Sequence, residues 1–379
     1  MLCEAGPHAV SRAGQTQGPL KHGVHDLGLM TLFKFWGQSW LTALALLGLT
    51  ACSPSPAQIA SVPVRDDPPS ASAPAPLPVQ FHLTDGQSLA GRVWHHPQPR
   101  HIVLGVHGFN DHSKAFEPLA QHLRSELGAT VYAYDHRGFG ANPSPGVWPG
   151  SAPLLEDLRQ IASQLRQHHA GLTFTVVGES MGAAVVWVAA SEQPGLLADQ
   201  LVLKAPAIWG ANSMPWYQRL SLNFMNALAP DMRLTGRGVQ SLGITPTNDP
   251  DVSRELSRDP LFIKATRISS LAGVTELMGR AQALSLPPPQ RSLVLYGLRD
   301  RIIPPPPVCD WLTHLNATGA PITEIDFVIY PEGWHLLTRQ LQTHEVLRDM
   351  QQWIEKTPLN PRKSALEAQD AVCSKRPKH

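Results

Sequence analysis

The pentapeptide Gly178, Glu179, Ser180, Met181, Gly182 lies between an apolar run at 172–177 (LTFTVV) and a helix-favouring run at 183–190 (AAVVWVAA). A chain that passes from strand to helix within five residues must turn sharply, and its middle residue takes strained backbone angles. Side chains two positions before and after it would collide, so small residues are needed there. The pattern predicts a buried strand, a tight turn and a helix, with Ser180 at the apex as a candidate nucleophile.

The same alternation runs through most of the chain. Short, almost continuously apolar runs near 102–106, 130–135, 172–177, 200–205, 292–296 and 323–330 have the character of parallel strands covered on both faces. Between them the apolar residues recur at helical spacing: Phe116, Leu119, Leu123 and Leu127, then Leu154, Leu158, Ile161 and Leu165, and finally Val346, Met350 and Trp353. Residues 81–84 and 88–94, joined through Asp85 and Gly86, suggest an opening hairpin. The expected class is α/β, a mostly parallel central sheet with helices on both faces, occupying 79–356 as one domain. Between Pro206 and Pro288 the rhythm stops. Helix-like runs at 216–228 and 253–280 follow one another there without a strong strand between them.

A nucleophile needs a base, an acid to orient that base, and donors for the developing oxyanion. On a sheet of this kind the order along the chain is nucleophile, acid, histidine. The run 293–296 (LVLY) leads through Gly297, Leu298 and Arg299 to Asp300, and the run 325–330 ends in Pro331, Glu332, Gly333, Trp334 and His335. Asp300 and His335 are therefore the candidate acid and base. Asp310 and Asp326 are the rival carboxylates, and His314 and His344 the rival imidazoles; Asp326 falls within a strand and both histidines fall in helical stretches. The oxyanion amides are assigned to Met181, directly after the nucleophile, and to Phe109, on the turn that Gly108 opens after the run 102–106. His107 is read as structural, and Asp135, His136 and Arg137 as ties that hold a loop.

These motifs also carry a resemblance. HGFNDHS at 107–113, YDHRGFG at 134–140, GESMG at 178–182, GLRDRIIP at 297–304 and GWH at 333–335 make the chain similar to the monoacylglycerol lipase and lysophospholipase branch of the α/β-hydrolases, the serine aminopeptidase or hydrolase 4 group, over about 78–356. The resemblance implies the triad Ser180, Asp300 and His335, the oxyanion amides of Phe109 and Met181, and a helical cap for the insertion at about 207–288. Trp209, Met214, Trp216, Leu220, Phe224 and Leu228 in that insertion form an apolar set suited to walling an acyl chain or to packing cap on core. Two positions depart from the family pattern: Ala183 stands where a third glycine is common, and Phe109 is bulkier than the small residue often found there. The larger side chain bears on the width of the acyl pocket, not on the amide donor.

Composition narrows the alternatives. The chain carries 31 Lys plus Arg against 30 Asp plus Glu, which gives no electrostatic reason to expect nucleic acid. It has 17 histidines, but His95 with His96 and His168 with His169 are adjacent rather than spaced for one coordination sphere, and there is no HExxH. No nucleotide-binding GxGxxG or GxxxxGK[ST] occurs. Covalent serine chemistry needs no cofactor, and neither a cofactor nor a metal is expected.

The N-terminal region reads as an export signal. Lys34 precedes an apolar stretch at 41–51 (LTALALLGLTA), too short to span a bilayer and suited to the apolar region of a signal peptide. Its end, Leu49, Thr50, Ala51, Cys52, resembles a bacterial lipobox, in which the cysteine is lipidated and becomes the mature N terminus. Residues 1–51 are thus a lipoprotein-type signal region with Met30 as an alternative start; an ordinary secretory signal or a short buried helix is the competing reading. Residues 52–78, rich in Pro, Ala and Ser, form a semi-extended tether of up to ~3.1 Å per residue. Ser53 after Cys52 resembles the sorting pattern for an outer membrane. Cys309 and Cys373 are left to bridge in an exported protein or to remain two thiols, and 357–379 reads as a flexible polar tail.

The expected activity is hydrolysis of carboxylic esters through an acyl-enzyme, on monoacylglycerols or lysophospholipids, by a protein held at the cell envelope through a lipid on Cys52. The alternatives are a short-chain esterase or peptidase on the same triad, and a non-catalytic envelope lipoprotein.

Overall fold

Eight of the apolar runs assemble into one sheet: β1 (Leu77–His82), β2 (Ser88–Trp94), β3 (His101–Val106), β4 (Ala129–Tyr134), β5 (Thr173–Glu179), β6 (Gln200–Lys204), β9 (Arg291–Gly297) and β10 (Ile325–Tyr330). The computed structural model describes residues 75–193, 197–235, 244–318, 324–356 and 363–375. Strand order is β1-β2-β4-β3-β5-β6-β9-β10. The opening hairpin is antiparallel, β2 runs antiparallel to β4, and every later pair is parallel. The strand that precedes Ser180 is central, flanked by β3 and β6.

Both faces are covered. α1 (Glu117–Leu127) and α8 (Thr343–Ile354) pack Leu119, Leu123, Val346, Met350 and Trp353 on one side. On the other lie α2 (Ser151–His168), α3 (Met181–Glu192), α7 (Pro305–Ala317) and α9 (Ala365–Cys373), with Leu158, Ile161, Trp187, Trp311 and Ala368 in the core. Each buried side chain of Leu or Ile size contributes about 1.5–3 kcal/mol through removal from water. α3 is apolar all round, as a helix must be when it is wedged between the sheet and other helices.

The insertion is helical, with one departure from expectation. α4 (Trp216–Leu228) has the bounds read from the sequence, but 253–280 is not one helical stretch. It divides into α5 (Pro250–Arg258) and α6 (Ile268–Ala283), and β8 (Ala265–Arg267) between them pairs antiparallel with β7 (Arg233–Thr235). Asp259 and Pro260 stop α5, because the residue before a proline is driven out of helical geometry; Asp259 is extended, with ψ 119°.

Two further boundaries shift. Leu77 and Pro78, assigned to the tether, pair with Val93 and Arg92 as part of β1. The polar tail contains α9, started by a capping box between Ser364 and Glu367 and joined to α7 by a Cys309–Cys373 disulfide. The signal region, Met30 and Cys52 lie outside the described residues.

Candidate active site

Every functional loop leaves the carboxyl end of a parallel strand. β5 ends at Glu179 and α3 begins at Met181, so Ser180 alone makes the turn, with φ 54° and ψ −116°. A non-glycine residue in that region is strained and persists only where its surroundings hold it. Its N–H donates to the Lys204 carbonyl at 2.9 Å, and its own carbonyl accepts from Ala207 N–H at 3.0 Å. The flanking glycines are required by contact. A Cβ on Gly182 would lie 2.0 Å from the Val106 carbonyl oxygen, and one on Gly178 would lie 2.5 Å from Ala183 Cα.

Asp300 and His335 arrive from the loops after β9 and β10. His335 Nε2 is 2.9 Å from Ser180 Oγ, and its Nδ1 is 2.7 Å from Asp300 Oδ2. A carboxylate can only accept, so Nδ1 carries the proton toward Asp300 and Nε2 is left bare to accept from the serine hydroxyl. Asp300 is itself fixed, since its Oδ1 accepts from the N–H groups of Ile302 and Ile303 at 2.8 and 2.9 Å. All three side chains are buried. This relay can move a proton from a hydroxyl to an imidazole while a buried carboxylate stabilises the imidazolium.

The two proposed amide donors face no competing backbone acceptor. Met181 is the first residue of α3, where the N–H has no partner within the helix. Among the described residues, neither its amide nor that of Phe109 donates to a backbone carbonyl. Gly108, the residue before Phe109, lies against the serine because it lacks a side chain: a Cβ there would sit 3.2 Å from Ser180 Cβ. The Phe109 ring packs edge-on to Phe139 and Trp148. It also meets the inward face of the insertion, where Leu222, Ile268 and Leu271 form a small apolar cluster.

The loop that carries Phe109 is tied on both sides. Asp135 accepts from Ser113 N–H at 2.7 Å and from Ala141 N–H at 2.9 Å, and Arg137 grips Asp157 through two bonds of 2.6 Å. Asp135 and Arg137 thus hold loops, as read from the sequence, whereas neither ring nitrogen of His136, grouped with them there, has a hydrogen-bond partner among the described residues. From the insertion, Ile263 N–H donates to the Asn110 carbonyl at 2.9 Å, Asn110 Nδ2 donates to Thr266 Oγ1 at 2.7 Å, and His112 Nε2 meets Asp259 at 3.0 Å.

Beneath the serine lies a group of charges that the sequence reading missed. Lys204 Nζ donates to Glu179 Oε2 at 2.6 Å and to Thr338 Oγ1 at 2.7 Å, while Arg339 Nη2 donates to Glu179 Oε1 at 2.8 Å and to Asp111 Oδ2 at 2.6 Å. Burial drives the Glu179 carboxyl up, but Lys204 and Arg339 outweigh it and bring its pKa down to about 2. Burial also works against the Arg339 guanidinium, and Asp111 with Glu179 more than restores it. The signal was present: a lone lysine in the apolar run LVLKA must find a buried partner.

The model of the family described as serine aminopeptidase, S33, matches residues 97–342. The chain belongs to this family. The names of its relatives indicate a hydrolase. It is 26% identical over 262 residues to the monoacylglycerol lipase of Mycolicibacterium smegmatis, covering 68% of this chain and 88% of that one. It is also 26% identical over 295 residues to the monoglyceride lipase of Homo sapiens, covering 74% and 92%. A soluble variant of monoglyceride lipase from Saccharomyces cerevisiae, solved in complex with a substrate analogue, superposes with a TM-score of 0.61 at 19% identity over 76% of this chain and 98% of that one. A carboxyl esterase from Bacillus coagulans in complex with glycerol gives 0.59 at 19% identity, over 75% and 99%. The fold is that of the α/β-hydrolases.

The rival residues of this S33 chain stand elsewhere. Asp326 accepts from Trp353 Nε1 at 2.7 Å on β10, Asp310 and His314 lie on α7, and His344 lies on α8. No group of three or more His, Cys, Asp or Glu side chains among the described residues is arranged to hold a metal ion. The apolar set of the insertion splits. Trp209 is buried, whereas Trp216, Leu220, Phe224 and Leu228 are 60–69% exposed and form one outward stripe of α4. They do not wall a closed chamber.

Proposed function

We propose that the protein is a serine carboxylic-ester hydrolase whose catalytic residues are Ser180, His335 and Asp300. The observation that carries the proposal is the unbroken Ser180–His335–Asp300 relay at 2.9 and 2.7 Å. Ser180 Oγ attacks the acyl carbon as His335 Nε2 takes its proton, and the carbonyl oxygen becomes an oxyanion between the amides of Phe109 and Met181. The tetrahedral intermediate collapses, His335 returns the proton to the leaving alcohol, and the acyl group stays on Ser180. Water, deprotonated by the same imidazole, then releases the carboxylic acid.

Monoacylglycerols or lysophospholipids are the proposed substrates. The lipase relatives support this class, as does the apolar cluster of Leu222, Ile268 and Leu271 packed against Phe109. The outward stripe of α4, which has no acidic residue, suits a protein that meets its substrate at a lipid surface. A fluorophosphonate probe should label the wild type and not Ser180→Ala. Turnover should rise with ester chain length; preference for two- to four-carbon acyl groups would favour the second reading, a short-chain esterase or peptidase, which the carboxyl esterase likeness supports. A folded protein that takes no label would instead be a non-catalytic envelope lipoprotein.

The proposed location is the cell envelope, with Cys52 lipidated and, in a host with two membranes, the outer membrane as the destination. The Cys309–Cys373 bond supports an oxidising compartment. Incorporation of a labelled fatty acid that vanishes in Cys52→Ala tests the anchor, and recovery of the protein from the cytosol would rule this location out.

A further inference from the structure

His107 is fully buried at the end of β3 and belongs to no step of the proposed reaction. Its two ring nitrogens have fixed and different partners. Nδ1 lies 2.7 Å from the Gly108 carbonyl oxygen, and Nε2 lies 2.9 Å from the His136 backbone nitrogen. A carbonyl only accepts, so Nδ1 must carry the hydrogen; a backbone N–H only donates, so Nε2 must be bare. One neutral tautomer satisfies both bonds, and the imidazolium satisfies only one. Burial lowers the pKa of His107, against the opposing pull of Asp135, and keeps the ring neutral.

The Gly108 carbonyl matters because of what lies at the other end of its peptide. In a planar trans peptide the C=O and the following N–H point in opposite directions, so fixing one fixes the other. The N–H in question is that of Phe109, the proposed oxyanion donor. Among the described residues one other bond reaches this carbonyl, a long turn contact of 3.3 Å from Asp111 N–H.

We propose that His107 is a positioning residue for the oxyanion hole: by donating from Nδ1 to the Gly108 carbonyl it aims the Phe109 amide at the oxygen of the tetrahedral intermediate. The inference rests on the serine-hydrolase reading above. It also explains why the loop needs both His107 and a glycine at 108, since one aims the peptide and the other lets it approach Ser180.

Two variants of the full chain separate aiming from scaffolding. Asn places an amide donor where Nδ1 was, and Gln places an acceptor where Nε2 was. His107→Asn keeps the bond to Gly108 and should retain kcat within about threefold, whereas His107→Gln keeps the bond to His136 and should lose about ten- to a hundredfold in kcat with KM little changed. Affinity for an alkyl trifluoromethyl ketone, whose adduct carries the oxyanion, should fall in His107→Gln in step with kcat/KM, while affinity for a nonhydrolysable ether analogue of the substrate stays constant. Equal losses in the two variants that track their Tm, or an unchanged kcat in His107→Gln, would overturn the assignment. Should neither variant fold, neutron diffraction on the wild type decides: hydrogen on Nδ1 alone sustains the proposal, and hydrogen on Nε2 overturns it. Fluorophosphonate labelling of the wild type keeps the two claims apart. An unlabelled wild type defeats the hydrolase reading and this one with it, whereas a labelled wild type with an indifferent His107→Gln defeats this one alone.

Discussion

At the scale of single residues, function depends on side chains whose alternatives are removed by their neighbours. Asp300 holds one imidazole tautomer with one oxygen while its other oxygen is saturated by two backbone amides. Replacing it with Asn allows the amide to donate to Nδ1, which stabilises the wrong tautomer; kcat should fall about 10⁴-fold, with the fold intact by circular dichroism. A drop of tenfold or less would mean that another group orients His335. Glu179 offers a second test. Its folded-state pKa of about 2 lies below the ordinary 4.5, so its contribution to stability is present above pH 4.5 and is lost as pH falls toward 2. Urea unfolding at pH 7 and pH 3 should show a decrease for the wild type larger by about 2 kcal/mol than for Glu179→Gln. Equal decreases would place the acid sensitivity elsewhere. Removing the cation instead, as in Lys204→Met, breaks a buried pair and should cost about 3–5 kcal/mol.

At the scale of elements, legibility followed how local each signal is. The strands and helices of the core could be read because burial on one or both faces imposes a period on the residues themselves, as with Leu154, Leu158, Ile161 and Leu165 on α2. The convergence of Ser180, Asp300 and His335 could be anticipated because the three residues sit at strand ends in a fixed order. The three-residue strands β7 and β8 could not, since strands that short show no period. α9 had a local signature, the Ser364 to Glu367 capping box, hidden in a polar stretch. The sequence named the apolar residues of α4 but not their direction, because a helix periodic on both faces does not say which face is covered. Gln218 and Leu222 face inward, and Trp216, Leu220, Phe224 and Leu228 face out. Changing Trp216 and Phe224 together to Ser should therefore lower binding to phosphatidylcholine vesicles by about tenfold or more, while hydrolysis of a soluble butyrate ester stays within about twofold. Equal losses on both substrates would mean that the stripe serves the chemistry rather than the surface.

At the scale of the whole molecule, the C-terminal helix is joined to the core by more than its own apolar face. A nine-residue helix is marginal alone, and α9 buries only Ala365, Ala368 and Val372. The Cys309–Cys373 bond spans 64 residues, and closing a loop of that length in the unfolded chain is worth about 4 kcal/mol in the chain-entropy model. The closed segment contains β10 and His335, and the backbone bridge between Phe327 and Lys363 ties the approach to α9 directly to that edge strand. Loss of the bond should thus release α9 first and then expose the edge of the sheet beside the strand that presents the base. Cys373→Ser should lower stability by roughly 4 kcal/mol and bring heat inactivation to a lower temperature, and reduced wild-type protein should behave like the variant. Activity well below the new Tm should be nearly unchanged, because the relay itself draws nothing from α9. The same arithmetic bears on location: a protein that relies on this bond gains it only where thiols are oxidised. Mass spectrometry of the protein isolated from its native host should find the two cysteines linked. Free thiols there, with wild-type stability, would count against both the stabilising role and the proposed export.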